Sequence, residues 1–204
     1  MSNPGWPVEL TDGPVTVRPL RWSDARAWRE VRRVNHGWLV PWEATQPGQR
    51  VPAPTLMAYA ISLLRLRRHA RAGEVLPFVV TYHGRLVGQL TVGGISRRSR
   101  GSPYVGYWVD RRYAGRGITP TALALVVDHC FTAMGLDRLE ANVRPENAPS
   151  RRVAEKLGFG ARDLRRRFLF IDGDWRDHIC YVITPEDVPE GMVNRWHARR
   201  AAAL

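Results

Sequence analysis

Two glycines, Gly115 and Gly117, form the most distinctive candidate binding motif, within the stretch RYAGRGIT that begins at Arg112. Glycine permits positive φ angles and lets a ligand approach the main chain closely. The first N–H groups of a helix have no acceptor inside the helix and carry a partial positive charge. A glycine turn between a strand and a helix is therefore suited to binding a phosphate or a pyrophosphate.

The sequence on either side of the glycines supplies both elements. Residues Tyr104–Val109 are mostly aromatic or β-branched, which is typical of a strand. From Thr119 to Met134, apolar residues recur at spacings of three and four, which predicts a helix. The motif is neither a P-loop nor a dinucleotide fingerprint, because no Gly-Lys-Ser/Thr follows and the glycine spacing fails after Gly117. Taken alone, the glycine pair also fits a plain turn.

The residues around this turn make the motif more specific. The Arg-x-x-Gly-x-Gly pattern resembles the acetyl-CoA pyrophosphate motif of the GNAT N-acetyltransferase superfamily. Three downstream segments, Arg138–Val143, Asn147–Ser150 and Glu155–Phe159, resemble its RimJ/RimL branch, which acetylates protein N-termini. Pro41-Trp42-Glu43 resembles the RimJ type, the ribosomal-protein-alanine N-acetyltransferases. The resemblance covers about residues 14 to 187.

The resemblance implies that acetyl-CoA is the cosubstrate and that main-chain groups carry most of its binding. The strand Tyr107–Val109 would offer main-chain groups to the pantetheine arm, and an N–H near Trp108 or Val109 would polarise the thioester carbonyl. Asn147 would hydrogen-bond the same arm. The expected pyrophosphate donors are main-chain N–H groups of Arg112, Gly115, Arg116, Gly117, Ile118 and Thr119.

Ser150 completes the family's Asn-x-x-Ser pattern, which begins at Asn147. The resemblance implies that its hydroxyl lies near the sulfur and protonates the leaving thiolate. The alternative is that Ser150 is only the N-cap of a short helix that ends near Leu157. That helix has no tyrosine, so the tyrosine acid of many relatives is not expected here.

The general base is less clearly marked. Glu140, on the strand beside the cofactor, is the first choice, although pairing with an arginine explains it equally well. Glu43 is the second choice, and we expect it rather to contact the acceptor amine. An α-amine with a pKa near 7.7–8.0 is about a tenth unprotonated at pH 7, so deprotonation through water is also open. We expect His178 to be structural.

Three functions fit these residues. We favour acetylation of the N-terminal α-amine of a protein, in particular a ribosomal protein, in a wide pocket walled by Trp38, Trp42, Glu43 and the Leu164–Trp175 hairpin. The second is acetylation of a small amine or amine antibiotic in a narrower, more acidic pocket. The third is a nonenzymatic acyl-CoA-sensing or nucleic-acid-binding module. The two tryptophans could also form a satellite hydrophobic cluster.

Composition and net charge limit the class of protein, its partners and its cellular location. The 204 residues are 44% apolar and carry a net charge of +12, almost all of it from arginine. A ribosomal or nucleic-acid neighbour, or a high-GC genome that favours arginine codons, explains this charge, and we do not expect direct nucleic-acid binding. No apolar run is long enough to cross a membrane, and the start lacks a secretory signal, so we expect a cytoplasmic protein. Cys130 and Cys180 are expected to be buried reduced thiols, and no metal-ligand spacing occurs.

The periodicities predict an α/β fold in which helices flank a mixed, mostly antiparallel central sheet. This single domain has the GNAT fold over 14–187 and is followed by a basic tail over 188–204 that is either a short helix or disordered. The resemblance also suggests a homodimer. The other predicted elements are a strand at Val15–Leu20, helices from Ser23 to Val34 and from Thr55 to Ala72, an irregular Asn35–Pro54, hairpins at Leu76–Val92 and Leu164–Ile183, a polar turn at Ile95–Ser102 and a strand at Asp137–Val143.

Overall fold

A computed structural model describes residues 5–49, 51–96 and 102–202 of the chain. Within those residues, one mixed sheet has the strand order β1-β2-β3-β4-β5-β6-β8-β7. All neighbouring strands are antiparallel except β5 and β6, which confirms the predicted mixed sheet. The strands are β1 Leu10–Asp12, β2 Val15–Pro19, β3 Leu76–Tyr82, β4 Arg85–Gly93, β5 Tyr104–Val109, β6 Leu139–Val143, β7 Gly160–Ile171 and β8 Asp174–Ile183.

Helices cover both faces of this sheet. On one face α4, α5 and α6 pack into the larger hydrophobic cluster, and on the other face α1 and α3 pack into a smaller one. Strand β3 shows the division, since Phe78 and Val80 belong to the first cluster and Val79 to the second. The helices are α1 Ala25–Val34, α2 His36–Leu39, α3 Leu56–Arg71, α4 Ile118–Thr132, α5 Ala148–Leu157 and α6 Met192–Ala201. None of the helices in the described part of the chain has the length and apolar character needed to span a bilayer.

The first helix begins later than predicted. Ser23 lies in a 3-10 turn, Trp22–Asp24, and α1 starts at Ala25. The Asp24 carboxylate accepts from the main-chain N–H of Arg21 at 2.8 Å and pairs with Arg18 at 2.8 Å. This buried ion pair fixes the turn, so Ser23 is not the N-cap. In contrast, α3 begins as predicted, because the Thr55 side chain accepts from the N–H of Ala58.

Of the two alternatives for the C-terminal basic segment, the structure shows the helix. Met192 and Trp196 of α6 are buried in the larger cluster against α4. The Asp128 carboxylate accepts from the N–H groups of Met192 and Val193, at 2.6 and 3.0 Å, and so caps α6. The Trp196 indole N–H donates to Thr121 Oγ1 at 2.8 Å. Helix α6 therefore supports the first turns of α4, the helix that follows the glycine motif.

The segment predicted to be irregular contains two short elements, α2 and a 3-10 turn at Val40–Trp42. It is tied to β7, since the N–H of Thr45 donates to the Phe170 carbonyl at 2.9 Å and Ala44 bridges to Ile171. We call residues 35–45 the cover segment. The predicted polar turn falls largely on 97–101, outside the described residues, and the structure adds β1 at the start of the sheet.

Candidate active site

The site is built on a gap between the two parallel strands. Strands β5 and β6 are paired at Tyr104 and Glu140, and within the described residues no further register pair joins them. Beyond Tyr104, the side of β5 that faces β6 therefore presents main-chain groups to the gap. A cavity of about 860 Å³ opens there and reaches from the glycine motif to the cover segment and β7.

Strand alternation decides which main-chain groups face the gap. The N–H of Asp110 donates to Val87 of β4, and the Pro103 carbonyl accepts from Glu140 of β6. Because main-chain groups of successive residues point to opposite sides of a strand, Trp108 faces β4, while Tyr107 and Val109 face the gap. Of the predicted main-chain positions, Tyr107 and Val109 thus face the gap, whereas Trp108 does not. The Trp108 side chain does line the cavity.

The glycine motif is preorganised for an anion. Gly115 and Gly117 have φ angles of 81° and 79°, and Gly117 is the N-cap of α4. The consecutive N–H groups of residues 115 to 119 have no acceptor within the described part of the chain. They end in the first turn of α4, where the helix dipole favours negative charge.

The main-chain N–H of Arg112 is not available as the predicted pyrophosphate donor. Its main-chain N–H donates to the Asp110 carboxylate at 3.0 Å, and its guanidinium donates to the same carboxylate at 2.6 Å. Burial would raise the pKa of Asp110, but the bonds from Arg112 outweigh burial and lower it. Because its N–H is already used, Arg112 does not belong with the pyrophosphate donors. It instead fixes the turn that leads into the glycines.

Asn147 and Ser150 lie together at the start of α5, and both line the cavity. Asn147 is the N-cap, since its side-chain oxygen accepts from the N–H of Ser150 at 3.1 Å. The interpretation of Ser150 as the N-cap is therefore wrong. The Ser150 side chain lies beside the Tyr107 phenol and opens onto the cavity.

Sequence reasoning missed the role of the Tyr107 side chain. Its hydroxyl donates to the Ser150 carbonyl at 3.1 Å, across the gap, and its ring lines the cavity. Burial raises the pKa of this phenol above its ordinary value, so it remains a neutral donor. The strand pattern placed Tyr107 correctly in β5, but only its pairing with α5 shows that it fixes the Asn147–Ser150 turn.

The cover segment supplies one wall of the cavity, as predicted, through Trp38, Trp42 and Glu43. The indole N–H of Trp38 donates to the Val109 carbonyl at 3.2 Å, which fastens the segment to β5. The Glu43 carboxylate is held by both terminal nitrogens of Arg32, one of them at 2.8 Å. The Arg32 guanidinium lies 5.6 Å from the ring centroid of Trp108, so it is packed as well as paired.

The structure corrects the first choice of general base. Glu140 is 1% exposed and lies outside the cavity lining. Its carboxylate accepts from Arg138 at 2.6 Å and from Arg165 at 2.8 Å. Burial raises the pKa of Glu140, but these bonds outweigh burial and lower it to about 2. A carboxylate that is so weakly basic and has no access to the cavity holds the sheet together instead.

Replacing Glu140 with Gln should lower the free energy of unfolding at pH 7 by about 1–3 kcal/mol, because two guanidinium groups lose their charged acceptor. The folded-state pKa is about 2 against an ordinary 4.5, so this contribution is present above pH 4.5 and is lost as the pH falls towards 2. Urea denaturation from pH 7 to pH 2 tests this, and the variant should lack that part of the acid dependence.

The matched control for this change is Glu146→Gln, which removes an exposed partner of Arg144. An exposed ion pair contributes about 0–1 kcal/mol, so the control should unfold nearly as the parent does. A Glu140→Gln variant that kept full stability but lost turnover would return Glu140 to the catalytic groups.

His178, which the sequence assigns a structural role, lines the cavity. It is 2% exposed, and its Nδ1 lies 3.0 Å from the Arg176 carbonyl oxygen. Burial lowers the pKa of the imidazole. The ring is therefore neutral near pH 7 and is placed both to fix β8 and to face a bound molecule.

The charges that line the cavity are unequal in number. Glu43 is the single carboxylate among the described lining residues, whereas Arg144, Arg152 and Lys156 are cations. Arg144 also stacks on Trp42, with its guanidinium 5.2 Å from the ring centroid. In the described residues, no group of three or more His, Cys, Asp or Glu side chains could hold a metal ion. Both cysteines are free and buried.

Comparisons with known proteins agree with this geometry. Residues 15–160 match the acetyltransferase (GNAT) domain family. The solved structure of Mycobacterium smegmatis RimJ in complex with CoA-disulfide has a TM-score of 0.91 and 40% sequence identity, with 96% of each chain covered. The ribosomal protein uS5-alanine N-acetyltransferase of Escherichia coli K12 is 25% identical over 90% of this chain and 94% of that protein.

A third relative, the probable N-acetyltransferase YjcK of Bacillus subtilis, is 38% identical over 104 residues. That match spans 50% of this chain and 58% of YjcK. These matches confirm the resemblance that was drawn from the glycine motif and the Asn-x-x-Ser pattern.

Proposed function

The chain belongs to the acetyltransferase (GNAT) domain family, and from this premise we propose that it transfers the acetyl group of acetyl-CoA to the N-terminal α-amine of a protein. The observation that carries the proposal is the single cavity shared by the glycine motif, the β5–β6 gap and the cover segment. Donor and acceptor could meet there. The reaction is an N-acetyl transfer, and the identity of the acceptor is the proposed part.

The residues present fit acetyl-CoA. Five consecutive main-chain N–H groups, at 115–119, lack acceptors within the described residues and would bind its pyrophosphate. The main chain of Tyr107 and Val109 and the amide of Asn147 would bind the pantetheine arm. When bound, acetyl-CoA supplies an acyl group activated as a thioester. The N–H of Val109 would polarise the thioester carbonyl, and the Ser150 hydroxyl would give a proton to the departing sulfur.

The charge of the acceptor end supports a single amine on a larger molecule. A polyamine or an amine antibiotic carries several positive charges and would need several carboxylates. Glu43 is the one carboxylate among the described lining residues, and Arg144 lies on the same side of the cavity. One carboxylate on the wall that also carries the indoles of Trp38 and Trp42 matches one ammonium attached to a short side chain.

The known relatives support a ribosomal protein as the acceptor. The Escherichia coli relative is named for acetylating an alanine of ribosomal protein uS5, and the structure with 40% identity is a RimJ. A chain with net charge +12 would also be attracted to the ribosomal surface. We therefore place the reaction in the cytoplasm, on an Ala-initiated or Ser-initiated ribosomal protein.

Replacing Glu43 with Gln should raise the KM for an α-amine peptide about tenfold, since a charged hydrogen bond contributes about 1.5–3 kcal/mol. The Kd of acetyl-CoA should stay unchanged. Steady-state kinetics against peptide concentration measure the effect. The matched control is Glu30→Gln, which breaks the exposed pair with Arg33 on α1. An unaltered KM in the Glu43 variant would remove Glu43 from the acceptor site.

The experiment that tests the function is thiol release from acetyl-CoA with a panel of acceptors. The panel holds short peptides with free Ala, Ser, Thr or Met termini, the same peptides with blocked termini, and several polyamines and amine antibiotics. Turnover with a free Ala or Ser terminus that disappears on blocking supports the proposal. Turnover confined to the small amines contradicts it.

A further inference from the structure

The imidazole of His178 has one nitrogen committed to the protein and one facing the cavity. Its Nδ1 lies 3.0 Å from the Arg176 carbonyl oxygen, which can only accept a hydrogen bond. The neutral ring therefore carries its proton on Nδ1, and Nε2 keeps a lone pair. Nε2 has no partner among the described residues.

The hydrogen bonding of the buried polar atoms shows that Nε2 is accessible from the cavity. No fully buried side-chain nitrogen or oxygen in the described residues lacks a hydrogen-bond partner. Because Nε2 lacks one, it must be open to solvent, and the space beside His178 is the cavity. Phe168 of β7, which also lines the cavity, contacts the His178 ring edge-on with its ring centroid 5.8 Å away.

The charges around the ring keep it neutral yet able to take a proton. Burial is the main cause that lowers the pKa of His178. Arg144, which follows β6, lowers it further, whereas Glu146 and Asp177 raise it, as does the Arg176 carbonyl. The two carboxylates would stabilise the imidazolium once it forms.

We propose that His178 Nε2 is the general base that removes a proton from the acceptor ammonium. This inference rests on the proposed function. Glu140 lies outside the cavity lining, and the Glu43 carboxylate is already held by Arg32. Among the described lining residues, His178 is therefore the base with a free lone pair. The two residues divide the work, because Glu43 holds the ammonium and His178 takes its proton.

The proton balance of the step is complete. The first ammonium proton moves to Nε2, giving an imidazolium that later returns it to water. The free amine then forms the C–N bond as the C–S bond breaks. The second proton, carried by the new amide nitrogen, leaves with the thiol sulfur through the Ser150 hydroxyl. No oxidant or metal takes part in this step.

The decisive variant is His178→Asn. An asparagine amide can take the place of Nδ1 as donor to the Arg176 carbonyl, but it has no basic nitrogen. At pH 7, kcat/KM for an Ala-initiated peptide should fall about tenfold, because only about a tenth of the α-amine is unprotonated without a base. The acid limb of the pH profile should move up from below 6.5 to about 7.7–8.0, the pKa of the amine itself.

Two controls separate a base from a structural residue. The Kd of acetyl-CoA and the Tm should remain those of the parent. An acceptor with an aminooxy terminus is unprotonated at pH 7 and needs no base, so the variant should acetylate it at nearly the parental rate. If His178→Asn fails to fold, His178→Gln is measured in its place with the same acceptors.

The outcomes are distinct. An unshifted acid limb, or equal losses with the peptide and the aminooxy acceptor, would overturn the role of His178. If the parent enzyme acetylates small amines and no α-amine peptide, the proposed function fails instead. The same pH profile, taken with the small amine, then decides the role of His178.

Discussion

Replacing Gly115 and Gly117 together with Ala should weaken acetyl-CoA binding about 10²- to 10⁴-fold, measured by isothermal titration calorimetry. Both glycines hold φ angles near 80°, which alanine adopts at a cost of about 1–2 kcal/mol per residue. Relaxation of that strain turns the main-chain N–H groups away from the pyrophosphate. Losing two charged hydrogen bonds of about 1.5–3 kcal/mol each accounts for the expected range.

Steric crowding by the added Cβ atoms would not explain the expected loss of acetyl-CoA affinity. A Cβ on Gly115 meets nothing within 4 Å, and one on Gly117 meets only Trp196 at an ordinary 3.4 Å. The matched control is Gly84→Ala, since Gly84 has a φ of 75° and open space around it in the β3–β4 turn. That variant should lose about 1–2 kcal/mol of stability, the cost at one position, and bind acetyl-CoA normally. A folded double variant with parental affinity would contradict the pyrophosphate assignment.

Replacing Ser150 with Ala should lower kcat about 10²-fold and change the Kd of acetyl-CoA by less than about threefold, because a positioned acid contributes about 10²–10⁴-fold. The change removes only the hydroxyl. The two bonds that fix this residue, from its N–H to Asn147 and from Tyr107 to its carbonyl, use the main chain and survive. Single-turnover kinetics at saturating acceptor isolate the effect on the chemical step.

Asn147→Ala provides the contrasting variant. It removes the N-cap of α5 and should cost about 1 kcal/mol of stability, together with weaker acetyl-CoA binding. Ser150→Ala should show neither change. If the serine variant turns over at the parental rate, then the hydroxyl does not supply the proton. Tyr107→Phe would then be the next variant to measure.

Local sequence patterns predicted most of the helices and strands. The helix after Gly117 and the strand before Arg112 were predictable because their apolar spacing and glycine chemistry are encoded within a few residues. Helix α6 could have been assigned too, since Met192 and Trp196 are spaced by four. The start of α1 was missed because Arg18, six residues before Asp24 and in β2, decides it.

The same distinction between local and long-range contacts applies to the candidate site. The glycine turn at one end of the cavity was predictable, since its main-chain N–H groups are consecutive in sequence. The acceptor end depends on pairings between distant strands. The sequence position of Glu140 is that of a candidate base, but Arg165, on β7, forms an ion pair with it. Likewise His178 faces the cavity because β8 lies between β6 and β7, an order that no local pattern records.

The most direct measurement is the site of acetylation on one peptide that carries both a free N-terminal Ala and an internal Lys. After reaction with acetyl-CoA, tandem mass spectrometry locates the acetyl group. We expect one acetyl group on the α-amine and none on the lysine side chain. Acetylation of the lysine, or an unmodified peptide in an assay where a small amine is consumed, would contradict transfer to protein N-termini.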